Sequence, residues 1–326
     1  MRFHPSSADH PVRMLLLACL AACTLTSCDR FRGPKTSFDG QAAYAMVKTQ
    51  VAFGPRVPGT AAWKKTGDWI VTQLKQLGDS VVEQRFEHVT PAGDTIPMRN
   101  IIARIRPDLS QRVLYVTHWD TRPTADNDPV IGNRKLPIPG ANDGASGVAM
   151  FIQIAAALKK TPPTVGVDLL FVDGEDYGDF NTYSDTASNP DVLIGSTYYA
   201  RHMDMTHPPL YGVLWDMIGD KDLDIDQEGN SLAQAPEVVS LVWNTAKQLG
   251  YSRYFIAQQG ETFWDDHVPF LKQGVHVIDV IDANYGPKTA MYPDGWHHTM
   301  QDTPDKVSAH SLQVVGDVAV WLVTHQ

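Results

Sequence analysis

Five short runs rich in β-branched residues (100–105, 113–117, 167–172, 210–215 and 275–280) alternate along this chain with segments of helical period. Runs this short and this uniformly apolar read as strands buried on both faces. Strands separated by helices imply an α/β fold, with a mostly parallel, mixed central sheet between two helical layers. Helices are predicted over 63–77, 144–160, 194–203, 236–249 and 308–323. Ile70, Leu74 and Leu77 share one face of the first, and Leu312, Val315, Ala319 and Leu322 one face of the last. Pro236 suits a first helical turn and Ser308 an N-cap. With 326 residues, 43% of them hydrophobic, and no repeat or low-complexity linker, one large domain is expected rather than two.

The N-terminus reads as an address. An apolar run over 14–25 follows Arg13 and ends in small residues, the layout of a secretory signal and too short to span a bilayer. Leu25-Thr26-Ser27-Cys28 resembles a bacterial lipobox, whose Cys is acylated and becomes the first residue. Leu20-Ala21-Ala22-Cys23 also fits; Cys28 is favoured because the polar chain starts at Asp29-Arg30. The expected layout is a signal over 1–27, a tether over 28–38 and a single catalytic domain over 39–326. Such a chain would be exported and held on the periplasmic side, touching the membrane only through its lipid. It is expected to act as a monomer.

Composition narrows the chemistry. The 27 Lys and Arg stand against 37 Asp and Glu, a net charge of −10, with no basic run longer than two residues. Nucleic acid is disfavoured as a partner, because phosphate binding needs a positive surface. The three cysteines, Cys19, Cys23 and Cys28, all precede residue 29, so a metal further on must be held by His and carboxylates.

In open α/β sheets ligands bind beyond the carboxyl ends of the strands. His118 follows the 113–117 run, Glu175 and Asp176 follow 167–172, and Asp216 follows 210–215. Gly140-Ala141-Asn142-Asp143-Gly144-Ala145-Ser146-Gly147 sets a carboxylate in a small-residue loop that opens a helix. Trp296-His297-His298-Thr299, with Asp302, adds late histidines before the last helix. Carboxylate oxygens with a His nitrogen suit Zn²⁺, and three protein ligands leave the open position that catalysis requires.

His118-Trp119-Asp120, Asp143 to Gly147, Glu175-Asp176, Asp216, Asp266-His267 and His298-Thr299, in that order, resemble the co-catalytic zinc aminopeptidases and their relatives, the glutaminyl cyclases. The likeness spans about 50–323. Phe53 to Thr60, Asn100-Ile101-Ile102, Ile194 to Thr197 and above all Asp265 to Leu271 lean toward the cyclases, which carry an Asp where Asp265 stands. The resemblance implies a zinc exopeptidase-like fold and one zinc per chain on Asp143, Asp176 and His298. It makes Glu175 the general acid and base, with Asp216 and Asp265 in its proton network. His118, oriented by Asp120, would lie behind the ligands or hold a second metal, and Trp296 and Trp264 would wall the substrate pocket. Two departures stand out: the ligand after Glu175 is Asp176 where cyclases usually have Glu, and His297 stands where many have Trp.

The activity implied is cyclisation of N-terminal glutamine on peptides or proteins to pyroglutamate, with release of ammonia. The rival reading is a two-zinc aminopeptidase, since His118, Asp143, Asp176, Asp216 and His298 would also make that site. A binding lipoprotein without turnover is disfavoured, because a pure binder has no use for a proton shuttle at Glu175.

Overall fold

The computed structural model describes residues 36–180 and 189–325. The signal, the lipobox and Cys28 lie outside the described residues. In chain order the helices are α1 (Gly40–Ala52), α2 (Ala61–Leu77), α3 (Ala145–Lys160), α4 (Ile194–His202), α5 (Gly229–Gln234), α6 (Pro236–Gln248), α7 (Val268–Leu271) and α8 (Ala309–Thr324). The strands are β1 (Ser80–Val89), β2 (Thr95–Ile105), β3 (Arg112–His118), β4 (Gly166–Val172), β5 (Tyr211–Asp216), β6 (Ile225–Gln227), β7 (Phe255–Gln259) and β8 (Val277–Ile281). Six of them form one sheet in the order β1-β2-β4-β3-β5-β8, while β6 and β7 pair separately. β4, β3, β5 and β8 run parallel, and β2 and β1 add an antiparallel flank, so the mixed α/β sheet expected from the sequence is present.

Alternate strand residues feed two cores. Val113, Tyr115, Val167, Leu169, Phe171, Val213 and Trp215 pack with residues of α1, α2, α3, α6 and α8 on one face. Leu114, Val116, Leu170, Val172 and Leu214 pack with Ala200 of α4 and Phe270 of α7 on the other. Burial on both faces is why these strands read as continuous apolar runs rather than alternating ones. Ser308 caps α8 by accepting from Ser311 N, and Pro236 stands at the start of α6, both as predicted.

Residues 36–38, expected in the tether, pack on the last helix. Phe38 is buried in the main core, and a Cβ at Gly316 would come within 2.4 Å of its ring, so glycine there makes the room that Phe38 fills. Thr36 donates to Asp317 of α8. Residues 36–38 therefore belong to the domain, because an aromatic ring docked on the last helix outweighs the polar look of the preceding segment. Helix α1 was not anticipated: its buried stripe is Gly40, Ala43, Val47 and Gln50, too small and too polar to stand out as an apolar face.

One buried cap yields a prediction. Glu228 caps α5, accepting from Asn230 N, Ser231 N and Ser231 Oγ, and from Phe263 N across the loop. Burial alone would raise its carboxyl. The His267 ring, 3.4 Å away, and the Ser231 hydroxyl outweigh burial and bring it down to about 2 from the usual 4.5. A depressed carboxyl adds stability above its unfolded pKa and loses that contribution as pH falls toward the folded one, here worth about 3 kcal/mol. Glu228→Gln is expected to be less stable than wild type by about that amount at pH 7. The gap should close between pH 4.5 and about 2, measured by denaturant unfolding of both proteins. A gap unchanged by pH would show that the loss is not the carboxylate's charge.

Candidate metal centre

The strand order builds the site. β3 lies between β4 and β5, so His118 at its end stands between the Glu175-Asp176 turn after β4 and Asp216 at the end of β5. Asp143 arrives from a third direction, on the loop that opens α3. Gly144 allows this turn with φ +84°, and a Cβ there would fall 2.8 Å from the Asp120 carbonyl oxygen. At Gly147 a Cβ would meet Thr117 Oγ1 at 2.0 Å, so a side chain would push α3 off the sheet ends.

Several predicted segments find their purpose here. Arg56, wholly buried, donates to the carbonyls of Trp119, Pro139, Gly140 and Asp143, and so fixes the loop that carries Asp143. Asp302 accepts from Asn142 N and Asp143 N on the same loop, and Tyr285 donates to Asp302 at 2.6 Å. Asn100 accepts from Asp173 N and donates to Gly195 O, which ties the end of β4 to the start of α4.

His298 faces both of the other predicted ligands. His298 Nε2 lies 3.1 Å from Asp176 Oδ1 and 3.7 Å from Asp143 Oδ2. Donors on a tetrahedral zinc stand about 3.3 Å apart, since each is about 2.0–2.1 Å from the ion. Asp143 Oδ2 and Asp176 Oδ2 are shut off from solvent and accept no hydrogen bond. Buried carboxylate oxygens in that state are costly unless a cation serves them, so this set fits zinc.

Behind the ligands sits a group that sequence reasoning missed. Arg122 makes two bonds to Asp126, at 2.7 and 2.8 Å, and its NH1 lies 3.4 Å from Asp176 Oδ1 and 2.7 Å from Gly178 O. Asp126 in turn faces His298 Nδ1 at 3.8 Å. One guanidinium thus backs two of the predicted ligands, through a bidentate geometry that no spacing in the sequence announced.

His118 Nε2 is 3.1 Å from both Asp143 Oδ1 and Asp216 Oδ1. Asp120, expected to orient it, faces His118 Nδ1 at 3.5 Å and accepts from Glu175 N and Asp176 N. Asp120 therefore shapes the Glu175-Asp176 turn, and the shorter contacts of His118 are to Asp143 and Asp216. Burial opposes a charge on His118, but Asp216, Asp120 and Asp143 outweigh it and raise its pKa well above the usual value.

The acids divide by environment. Glu175 is pushed well above the ordinary carboxylate range, first by burial and then by the charge of Asp176. Burial works against Asp176 too, yet His298 and Arg122 prevail and hold it well below that range. Adjacent carboxyls thus differ as a proton carrier and a ligand should. Asp265 is likewise raised, by burial and then by Asp216 and Asp266.

The tryptophans are placed unequally. Trp296 packs with Met217, Ile281, Tyr285 and Phe263 in an apolar cluster. Trp264 precedes Asp265, and the Lys272 ammonium lies 5.0 Å from its ring centre.

The model of peptidase family M28 matches residues 100–323 of the chain, nearly all of this framework. The chain belongs to peptidase family M28. Two solved structures are similar to this M28 chain at high coverage. A glutaminyl cyclase of Porphyromonas gingivalis is 37% identical, with 88% of this chain and 98% of that one covered and a TM-score of 0.80. A Zn-dependent exopeptidase of Parabacteroides distasonis is 34% identical, covers 90% and 99%, and has a TM-score of 0.82. Aminopeptidase YwaD of Bacillus subtilis is 23% identical over 300 residues, 87% of this chain but only 57% of its own length. The zinc expected from the donor set is the metal of the exopeptidase relative.

Proposed function

We propose that this M28 protein cyclises N-terminal glutamine of peptides or proteins to pyroglutamate and releases ammonia. The observation that carries the reading is Asp265, buried beside Asp216 and raised toward holding a proton, in a chain 37% identical to a solved glutaminyl cyclase. Hydrolysis and cyclisation both pass a proton from the nucleophile to the departing nitrogen; in cyclisation the nucleophile is the substrate's own α-amine and water takes no part.

Asp143, Asp176 and His298 would hold one zinc per chain, which would supply Lewis-acid polarisation of the substrate's γ-carboxamide carbonyl. Glu175 takes a proton from the neutral α-amine as its nitrogen bonds to that carbon, then returns it to the carboxamide nitrogen as the C–N bond breaks. The nitrogen leaves as NH₃, and Glu175 ends as it began. Its raised pKa serves both halves, since such a carboxylate is a better base and its acid still gives the proton up. Asp216 and Asp265 stabilise the proton on that side of the site. The Trp296 cluster excludes water that would otherwise convert glutamine to glutamate.

A second reading has its own observation. His118, Asp143 and Asp216 each place a donor atom within 4.8 Å of the others, and Asp143 turns Oδ1 to His118 and Oδ2 to His298. That geometry would let Asp143 bridge two zinc ions, as an aminopeptidase requires. The deciding experiment assays the chain from residue 29 on a Gln-peptide and on Leu-anilide, with zinc counted in the same sample. Pyroglutamate, ammonia and one zinc support the cyclase; release of leucine with two zinc ions would establish the aminopeptidase.

The address is part of the proposal: the protein is exported, acylated at Cys28 and anchored on the periplasmic side. Among the described residues no helix is long and apolar enough to cross a membrane. Cys28→Ser is expected to move the protein out of the membrane fraction or leave it unprocessed. An acylated, membrane-bound Cys28→Ser protein would instead assign the anchor to Cys23 or to another site.

A further inference from the structure

Residues 296–299 form a tight turn, closed by Thr299 N donating to Trp296 O at 3.2 Å, with His297 and His298 at its two central positions. His298 has φ +55°, the left-handed region that is strained for a non-glycine residue. That conformation does something an extended chain cannot. Adjacent side chains on extended backbone point to opposite sides, whereas here the two imidazole rings lie together, centres 3.6 Å apart and planes 33° from parallel. The neighbouring loop fixes the arrangement, with Asn127 N donating to His298 O at 3.2 Å and Asn127 Nδ2 to His297 O at 3.4 Å.

The result is a second imidazole beside Asp143 and His298. One atom each from Asp143, His297 and His298 lies within 4.8 Å of the other two. We propose that His297 is a fourth protein donor to the zinc, so that the resting site is closed by Asp143, Asp176, His298 and His297. A catalytic zinc site keeps one position for substrate. In this protein the substrate carbonyl would have to displace His297 to reach it, and the strained turn supplies a donor that can swing away. The shorter arm of Asp176 makes a further neutral donor useful, because the ligand set then does not depend on that carboxylate alone.

The inference rests on the zinc reading of Asp143, Asp176 and His298, and its test is separate from turnover. X-ray absorption at the zinc edge counts imidazole ligands. Wild-type protein is expected to show two per zinc, His297→Phe and His297→Trp one, and His118→Ala two. Zinc affinity, from competition with a chelator, is expected to drop about tenfold or more in His297→Phe, the low end of what loss of a supporting group costs a metal site. One imidazole per zinc in the wild type overturns the inference without any variant, and two retained in His297→Phe overturn it as well. Wild type that makes pyroglutamate with one imidazole on zinc sinks this inference alone. Two imidazoles with leucine release and no pyroglutamate sink the cyclase reading and leave His297 in place.

Discussion

Glu175→Gln is expected to keep its zinc and its melting temperature near wild type while kcat for pyroglutamate formation falls at least about a hundredfold, with a smaller change in KM. The substitution conserves volume and leaves Asp176 beside His298, whose 3.1 Å contact does not involve residue 175. What disappears is the group that carries a proton from amine to leaving nitrogen. Asp265→Asn is expected to lose less, because it acts on the proton through its neighbours. Undiminished turnover in Glu175→Gln would transfer the shuttle to Asp216 or Asp265. Zinc loss in that variant would reverse the roles of Glu175 and Asp176.

The second large effect is at His298. His298→Ala removes the donor that faces both Asp143 and Asp176, so zinc affinity is expected to fall by at least about a hundredfold, and activity with it. Added zinc at high concentration should recover part of the activity, which separates metal loss from misfolding. His118→Ala gives the contrast. It should retain its one zinc but melt lower, because Asp143, Asp216 and Asp120 lose the buried cation that faces them. Two zinc ions in wild type and one in His118→Ala would mean that His118 is a ligand and the aminopeptidase reading is correct.

The site was legible to the extent that it sits at strand ends. The runs that became β3, β4 and β5 were apolar enough to be located, and the polar residues at or just beyond their ends, His118, Glu175-Asp176 and Asp216, were therefore readable as one cluster. Asp143 followed from its glycine-rich loop. Arg122 and Asp126 were not legible. They lie four residues apart in a loop, and their connection to Asp176 and His298 runs through space rather than through any period of the sequence. His297 was visible as a departure from the expected Trp, but its partnership with His298 depends on one left-handed residue, and no residue type at 298 signals that.

The sequence by itself determined the layers, the order of donor types and the exclusion of thiolate chemistry, because these follow from apolar periodicity and from which side chains the chain possesses. Tertiary structure alone decided which donors face one another and how each acid holds its proton. Glu175 and Asp176 are chemically similar neighbours in the chain. Burial raises one, and the cations of His298 and Arg122 lower the other. Those charges arrive from residues more than fifty positions away on either side, and an electrostatic field depends on distance in space, which only the folded chain sets.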